Sequence, residues 1–243
     1  MESRLFATAE LAARQVADEI RDCLMKNPAM HLCIAAGDTS LPLFQILIKE
    51  KETGHLDFTK CRFTAMDEWA GMNDTDKDSC GNFLQRHFLR PSGFLPENVR
   101  LFNGRADDLT KECERMKAVL TRRGALDYLV LGMGMNGHLA LNEPGTDPTL
   151  SVHISQLDGI TKQVGQKYFH GEKAPLWGGI TIGLSDMKKA KRTVLLVSGA
   201  HKHTILHRLL TEEPHRDLPA SYLKTFEHTA VFYDQMAWSG TKL

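Results

Sequence analysis

A histidine and a glutamate follow a glycine-rich turn in the middle of this chain. Residues 129–145 read LVLGMGMNGHLALNEPG, in which an apolar run leads into three glycines, then His138 and, five residues later, Glu143. Glycines let backbone N–H groups approach a ligand closely, and an imidazole beside a carboxylate can transfer protons near neutral pH. The carboxylate can also orient the imidazole. We therefore expect an acid–base site here, although a histidine in a turn can also serve the structure alone.

The same glycines match a dinucleotide-binding fingerprint. Gly132, Gly134 and Gly137 have the Gly-x-Gly-x-x-Gly spacing, and Asp158 lies about 20 residues further on. That fingerprint must open a long helix whose N-terminus faces a pyrophosphate. Pro144-Gly145 would end any helix after one or two turns. The sequence therefore favours a proton-transfer site over a dinucleotide site.

A second candidate site is the segment Gly37-Asp38-Thr39-Ser40, which follows an apolar run and precedes a predicted helix. Backbone N–H groups and the two hydroxyls could bind phosphate oxygens, assisted by the positive end of the helix dipole. Asp38 would repel an anion unless its side chain points outward. An ordinary strand-to-helix turn accounts for the segment equally well.

Three further polar side chains have types suited to catalysis or to anion binding. Asp67, paired with Glu68 after a predicted strand, could act as a general base, and Trp69 beside them could raise its pKa. Paired acids at a strand end are also common as caps. Lys202, near the start of a late helix, and Lys167 could neutralise a phosphate, although either lysine could simply be solvated.

The elements that must position these residues alternate between strand-like and helix-like periodicity. This alternation predicts an α/β fold: a single three-layer, doubly wound, Rossmann-like domain over residues 1–243 with a mainly parallel sheet. Each polar cluster follows a predicted strand, so all should meet beyond the carboxyl ends of the strands. The predicted strands are 30–36, 61–66, 99–102, 126–131, 151–155, 193–197 and 231–233; the predicted helices are 8–27, 42–51, 80–89, 107–123, 158–169, 178–188 and 201–210.

Composition excludes several classes of partner. Hydrophobic residues make up 42% of the 243 residues, enough to bury a core, and 30 basic residues balance 30 acidic ones. Without a basic excess we expect neither nucleic acid nor an anionic membrane as partner. Five cysteines without a Cys-x-x-Cys pair indicate free thiols, and the chain shows no signal peptide or membrane span, so a cytoplasmic location is expected. The histidines are too scattered to predict a metal site.

These segments together resemble the glucosamine-6-phosphate and galactosamine-6-phosphate deaminase/isomerase family, over nearly the whole chain. Two further segments carry the likeness: Gly-Ala-His-Lys at 199–202 and Leu-Pro-Ala-Ser-Tyr-Leu at 218–223. The Asn-Gly-His-Leu core, the Leu-Asn-Glu-Pro-Gly that follows it, and His-Ile-Ser-Gln-Leu-Asp at 153–158 are closer to the galactosamine-6-phosphate branch.

The resemblance implies that a 2-amino-2-deoxyhexose 6-phosphate, with galactosamine 6-phosphate favoured, is converted to the ketohexose 6-phosphate plus ammonia. His138 would be the ring-opening acid/base with Glu143 as its partner, and Asp67 would move a proton between C2 and C1. No metal or organic cofactor is implied, and a homo-oligomer is possible. The matched phosphate ligands would be Thr39, Lys202 and Lys167, with Gly37 and Ser40 of the same loop.

Three positions depart from the family pattern. Asn136 stands where the glucosamine enzymes have Asp, Lys167 where Arg is usual, and Asp38 where a small residue is usual. A lysine cannot bind phosphate in the bidentate manner of arginine. Asn136, two residues before His138, is expected to orient the imidazole by a hydrogen bond as a further catalytic residue, without adding the negative charge that would favour the imidazolium.

Two alternative functions stay open. A 6-phosphogluconolactonase, a relative with the same sheet, usually has Arg where this chain has Trp69, and its Gly-His segment leads into Leu-Phe-Pro instead of the Leu-Asn-Glu-Pro at 141–144. A non-catalytic sugar-phosphate sensor would keep the pocket, but the intact Asp67, His138 and Glu143 argue against it.

Overall fold

Strands and helices alternate along the chain in the computed structural model, which describes residues 1–169 and 176–241. The strands are β1 (Glu2–Phe6), β2 (His31–Ile34), β3 (Arg62–Thr64), β4 (Asp67–Trp69), β5 (Val99–Arg100), β6 (Tyr128–Leu131), β7 (His153–Gln156), β8 (Gly178–Thr181), β9 (Thr193–Val197) and β10 (Thr229–Asp234). The helices are α1 (Ala9–Lys26), α2 (Leu41–Glu52), α3 (Cys80–Leu84), α4 (Arg90–Ser92), α5 (Leu109–Arg123), α6 (Gly159–Gly165), α7 (Leu184–Met187), α8 (His203–Thr211) and α9 (Gln235–Ser239). Short 3₁₀ turns occupy Asp38–Ser40, Pro96–Asn98, Gln166–Tyr168, Ala200–Lys202 and Pro219–Thr225.

Within the described residues, seven strands form one parallel sheet in the order β1-β10-β9-β6-β2-β3-β5. After β2, successive strands of this sheet are added toward one edge, in the order β3 and β5. After β6, they are added toward the other edge, in the order β9 and β10. The two directions diverge between β2 and β6, which pair in register with Leu32 opposite Tyr128. The predicted α/β, doubly wound fold with a mainly parallel sheet is confirmed, and its topological switch point lies between these two strands.

The central strands form where the sequence carries continuous apolar runs. Every residue of β2, β6 and β9 is buried, as expected for parallel strands covered on both faces. Helix α1 begins at the predicted cap, because the Thr8 hydroxyl accepts a hydrogen bond from the Leu11 N–H, and it buries Val16, Ile20 and Leu24 on one face. It packs on α2 and on β9 and β10.

A second, three-stranded antiparallel sheet, in the order β4-β8-β7, was not predicted. The predicted helix over 178–188 is wrong: residues Gly178–Thr181 form β8, and only Leu184–Met187 are helical. Ile180 and Thr181 are β-branched and favour a strand. Only glycine fits at position 179 of this strand, because a Cβ there would lie 2.7 Å from the backbone oxygen of Glu68 on β4.

Elements at the sheet edge were also harder to predict from the sequence than central ones. Strand β1 lies at the sheet edge and is almost wholly exposed, so its sequence lacks the apolar alternation that reveals a strand. The predicted helix over 80–89 is present, but it passes from α-helical to π-helical geometry at Gln85–Leu89. In residues 1–169 and 176–241 no helix combines the length and apolar character needed to cross a membrane.

Candidate active site

One cavity of about 680 Å³ lies at the switch point, beyond the carboxyl ends of the parallel strands. The loops that follow β2, β3, β6 and β9 all contribute to its wall, as the strand order requires. Helices α3 and α6 complete it. The sequence-predicted residues that line it are Gly37, Thr39, Ser40, Asp67, His138, Lys167 and Lys202, together with Asp38 and Trp69.

The glycines after β6 serve the imidazole of His138. A Cβ on Gly134 would lie 2.2 Å from Cε1 of the His138 ring, so only glycine lets the ring pack over this turn. Gly137 has a φ of 85°, and the Gly134 N–H donates to the His138 carbonyl at 3.0 Å to close the turn. No helix follows, so the turn does not have the geometry of a dinucleotide fingerprint.

The His138 ring is held on one side by its Nδ1 atom. Nδ1 lies 3.0 Å from Oγ1 of Thr161 and 3.5 Å from Oε2 of Glu143. Among the described residues Nε2 has no hydrogen-bond partner, and the side chain is one-fifth exposed to the cavity. Nε2 is therefore the ring nitrogen available to a ligand.

The Asn136 side chain contacts the backbone of His138 and not its ring, so its predicted direct hydrogen bond to the imidazole is wrong. Its Oδ1 accepts from the His138 N–H at 3.2 Å, which fixes the orientation of the amide. Its Nδ2 donates to Oε2 of Glu143 at 2.8 Å and to Oδ1 of Asp158 at 3.3 Å. Asn136 therefore acts on the imidazole through Glu143.

Glu143 is buried, with 5% of its surface exposed. Burial acts to raise its pKa, but hydrogen bonds with His138, Thr161 and Asn136 and the imidazole charge lower the pKa below the ordinary value. The carboxyl is thus held ionised, with its donors gathered on Oε2; in the described chain Oε1 is buried without a partner. An ionised carboxylate at this place stabilises positive charge on His138.

The two acids after β3 have different environments. Asp67 lines the cavity, and burial raises its pKa to about 6, against the lowering effects of the His138 charge and a hydrogen bond with Cys80. Glu68 turns away: its Oε1 accepts from the N–H groups of Trp69 and Cys80, and its Oε2 accepts from that of Gly81. Only Asp67 is placed to take a proton from a ligand.

The cavity wall is basic where Lys202 and Lys167 contribute to it, and this part is called its basic end. The Lys202 ammonium donates to the Met133 carbonyl at 2.6 Å. Burial, with a smaller effect of the Lys167 charge, lowers the pKa of Lys202 to about 8. Beside it, the turn at Gly37 has a φ of 128°, and this turn carries Thr39 and the buried Ser40 into the start of α2. This end can bind an anion.

Two of the three departures from the family pattern contact each other at the rim of this end. The Lys167 ammonium lies 3.5 Å from Oδ2 of Asp38, and both side chains are more than half exposed. Asp38 therefore points outward, where a cation neutralises it.

Sequence reasoning missed two residues beside the predicted ones. Thr161, on α6, contacts His138, and Cys80, on α3, lines the cavity next to Asp67. Both contacts depend on how helices pack over the sheet edge, so no local sequence pattern predicts them. A metal centre finds no support in residues 1–169 and 176–241, where no three His, Cys, Asp or Glu side chains come together as ligands.

Comparison with known proteins places the chain in one family. The chain belongs to the family described as Glucosamine-6-phosphate isomerases/6-phosphogluconolactonase, whose model matches residues 4–232. It is 36% identical to the Escherichia coli protein named "Putative deaminase AgaI" over 82% of this chain and 78% of that protein. It is 32% identical to a glucosamine-6-phosphate deaminase of Bacillus pumilus over 96% of this chain and 97% of the relative.

Solved structures agree with this assignment. A structure described as a monomeric glucosamine-6-phosphate deaminase superposes with a TM-score of 0.95 at 29% identity, covering 99% of this chain and 100% of the other. The 6-phosphogluconolactonase of Thermotoga maritima superposes with a TM-score of 0.77 at 18% identity, covering 96% of this chain and 98% of the other, and so shares the fold.

Proposed function

We propose that the chain catalyses the isomerising deamination of a 2-amino-2-deoxyhexose 6-phosphate to the ketohexose 6-phosphate and ammonia. The observation that carries the proposal is the cavity itself, which has Asp67 and His138 in its wall and Lys202 at its basic end. Relatives named glucosamine-6-phosphate deaminase support the substrate class.

Ring opening is the first step, and His138 is suited to it. A proton leaves O1 of the pyranose for Nε2, the C1=O1 bond forms, the C1–O5 bond breaks and the proton passes to O5. The imidazole carries positive charge while it holds the proton, and the ionised Glu143 stabilises that charge.

Isomerisation and deamination follow. Asp67 takes the proton from C2 of the open aldehyde while O1 gains a proton from solvent, giving an enolamine. Asp67 then returns a proton to C1 while the nitrogen releases one to solvent, giving a ketimine at C2. Water adds to C2 and ammonia leaves, so the overall change is amino-aldose plus water to ketose plus ammonia. A base whose pKa is raised to about 6 is a stronger acceptor than an ordinary aspartate yet is ionised at neutral pH.

The 6-phosphate fits the basic end. Lys202 supplies charge, and the loop with Gly37, Thr39 and Ser40 supplies N–H and hydroxyl groups at the start of α2. Lys167 lies at the rim and would exchange its Asp38 contact for the phosphate. No metal ion or organic cofactor enters these steps.

We further propose galactosamine 6-phosphate as the preferred epimer. The support is the sequence likeness of the Asn-Gly-His-Leu core and of residues 153–158 to the galactosamine-6-phosphate branch. The 36% identity to the Escherichia coli protein named a deaminase supports deamination, whichever epimer is preferred. The two epimers differ at C4, so the proposed roles of Asp67 and His138 at C1, C2 and O5 are the same for both.

An ammonia-release assay on the purified chain, without added metal or nucleotide, tests the proposal. Galactosamine 6-phosphate, glucosamine 6-phosphate and 6-phosphogluconolactone are compared at equal concentrations. We expect ammonia from both amino sugars, a higher kcat/KM for the galactosamine epimer, and no accelerated lactone hydrolysis. Lactone hydrolysis without deamination would assign the chain to the lactonases, and binding of the sugars without turnover would make it a sensor.

A further inference from the structure

Thr161 joins helix α6 to the acid–base pair of the cavity. It is 4% exposed, and its hydroxyl lies 3.0 Å from Nδ1 of His138. The same hydroxyl helps to lower the pKa of Glu143, as a donor to its carboxylate would. The direct distance from Nδ1 to the Glu143 carboxylate is 3.5 Å, which is long for a hydrogen bond. The hydroxyl is therefore the closer of the two partners of the ring.

One arrangement of the hydrogens satisfies these groups together. The ionised carboxylate of Glu143 can only accept, so the hydroxyl proton of Thr161 points toward it. The hydroxyl oxygen then accepts from Nδ1–H of His138. This arrangement keeps the neutral ring in the Nδ1–H tautomer and leaves the Nε2 lone pair facing the cavity.

We propose that Thr161 is a positioning residue that bridges His138 to Glu143 and selects the tautomer in which Nε2 can accept a proton. The inference rests on the proposed function, because it assigns that lone pair to ring opening. It goes beyond that function in placing part of the acid–base machinery on α6, outside the glycine-rich block.

Helix α6 is fixed so that the bridge can form. Asp158 caps it by accepting from the Ile160 N–H at 2.8 Å, and the same Oδ1 receives the Asn136 amide at 3.3 Å. Nδ2 of Asn136 also lies 3.4 Å from Oγ1 of Thr161. The position of α6 and the tautomer of the His138 imidazole are thus connected through side chains that contact each other.

The kinetic test uses Thr161→Val, which replaces the hydroxyl by a methyl group of similar size, and Thr161→Ser, which keeps the hydroxyl. We expect kcat on the pyranose substrate to fall at least about tenfold in the Val variant, within the range general acid–base catalysis supplies, and to recover in the Ser variant. An acyclic 2-amino-2-deoxyhexitol 6-phosphate needs no ring opening, so its inhibition constant should change less than about twofold. An equal loss of affinity for this inhibitor, or no change in kcat, would overturn the proposal.

A second readout does not depend on turnover. Two-bond ¹H–¹⁵N spectra of the free protein distinguish the imidazole tautomers, and we expect neutral His138 as the Nδ1–H form in the wild type and in Thr161→Ser. In Thr161→Val the Nε2–H form should appear. A wild-type ring in the Nε2–H form would contradict the bridge even if the Val variant fails to fold. Absence of ammonia release by the wild type would instead refute the proposed function and leave this spectrum to decide on the bridge.

Discussion

Lys202 is a half-buried cation whose charge depends on pH within the working range of an enzyme. Its pKa is lowered to about 8, so it is protonated below that pH and neutral above it. We expect kcat/KM to fall as pH rises above about 8, because a neutral amine binds phosphate poorly. Lys202→Arg, which stays charged, should remove this fall, whereas Lys202→Ala should raise KM more than it lowers kcat. An unchanged alkaline limb in the Arg variant would show that another group causes it.

The Asn136 amide donates hydrogen bonds to two carboxylates at once, so a carboxylate in its place would lie beside two like charges. Asn136→Asp would place a third carboxyl within hydrogen-bond distance of Glu143 and Asp158. Such neighbours raise the folded-state pKa of the new carboxyl above its unfolded value. Its protonated form is then favoured in the folded protein, so stability is kept at low pH and lost as pH rises.

The prediction is that Asn136→Asp lowers the melting temperature more at pH 8 than at pH 5. The double variant with Asp158→Asn removes one of the two neighbouring charges and should recover part of the loss at pH 8. Melting curves of the wild type and both variants at the two pH values provide the measurement. A loss that is the same at both pH values would mean that the three side chains do not interact as the structure places them.

At the scale of elements, strand β4 is tied to helix α3 by one side chain. Glu68, 1% exposed, accepts from the backbone N–H groups of Trp69, Cys80 and Gly81. This ties the wall that carries Asp67 to the start of α3. A buried donor left without a partner costs about 1–3 kcal/mol.

We therefore expect Glu68→Ala to lower the free energy of unfolding by at least about 2 kcal/mol, measured by denaturant titration. Glu68→Gln keeps one acceptor oxygen and should lose less. Retained proton transfer in the Gln variant would agree with a structural role. A Gln variant that is fully stable but inactive would contradict that role and return Glu68 to the list of candidate bases.

Strands and helices with a strong local sequence pattern could be predicted. Strands that form only because they pair with neighbouring strands could not. The apolar run of Thr193–Val197 and the capped face of Ala9–Lys26 carry their own signal and are confirmed. The predicted helix at 178–188 failed because strand β8 exists only by pairing with β4 and β7. The two glycines of β8 interrupt its hydrophobic periodicity. They also let the backbone of a neighbouring strand approach closely.

The same division holds in the candidate site. Asp67, His138 and Lys202 each follow a strand, so their meeting at one edge could be predicted from the alternation alone. The contact of Asn136 with Asp158 and that of Thr161 with His138 could not be predicted, because both depend on where α6 packs.

At the scale of the whole molecule, the doubly wound order brings loops far apart in sequence to one switch point between β2 and β6. Asp67, His138 and Lys202, proposed as the base, the acid–base imidazole and a phosphate ligand, therefore line one cavity. That residues 1–243 form a single domain, and that copies can associate as a homo-oligomer, stay predictions; sedimentation of the purified chain would decide the second.

The proposed function depends most on Asp67, which we infer moves a proton between C2 and C1 of an amino-sugar phosphate. The most direct measurement is the turnover of Asp67→Asn in D₂O, with ammonia release and deuterium at C1 of the ketose both recorded. We predict a fall in kcat of roughly 10²–10⁴-fold with little change in the inhibition constant of the acyclic hexitol phosphate, because an amide cannot accept the proton but leaves the cavity intact. The wild type should place solvent deuterium at C1. Near-normal ammonia release by the Asn variant, with deuterium still entering C1, would contradict this role of Asp67.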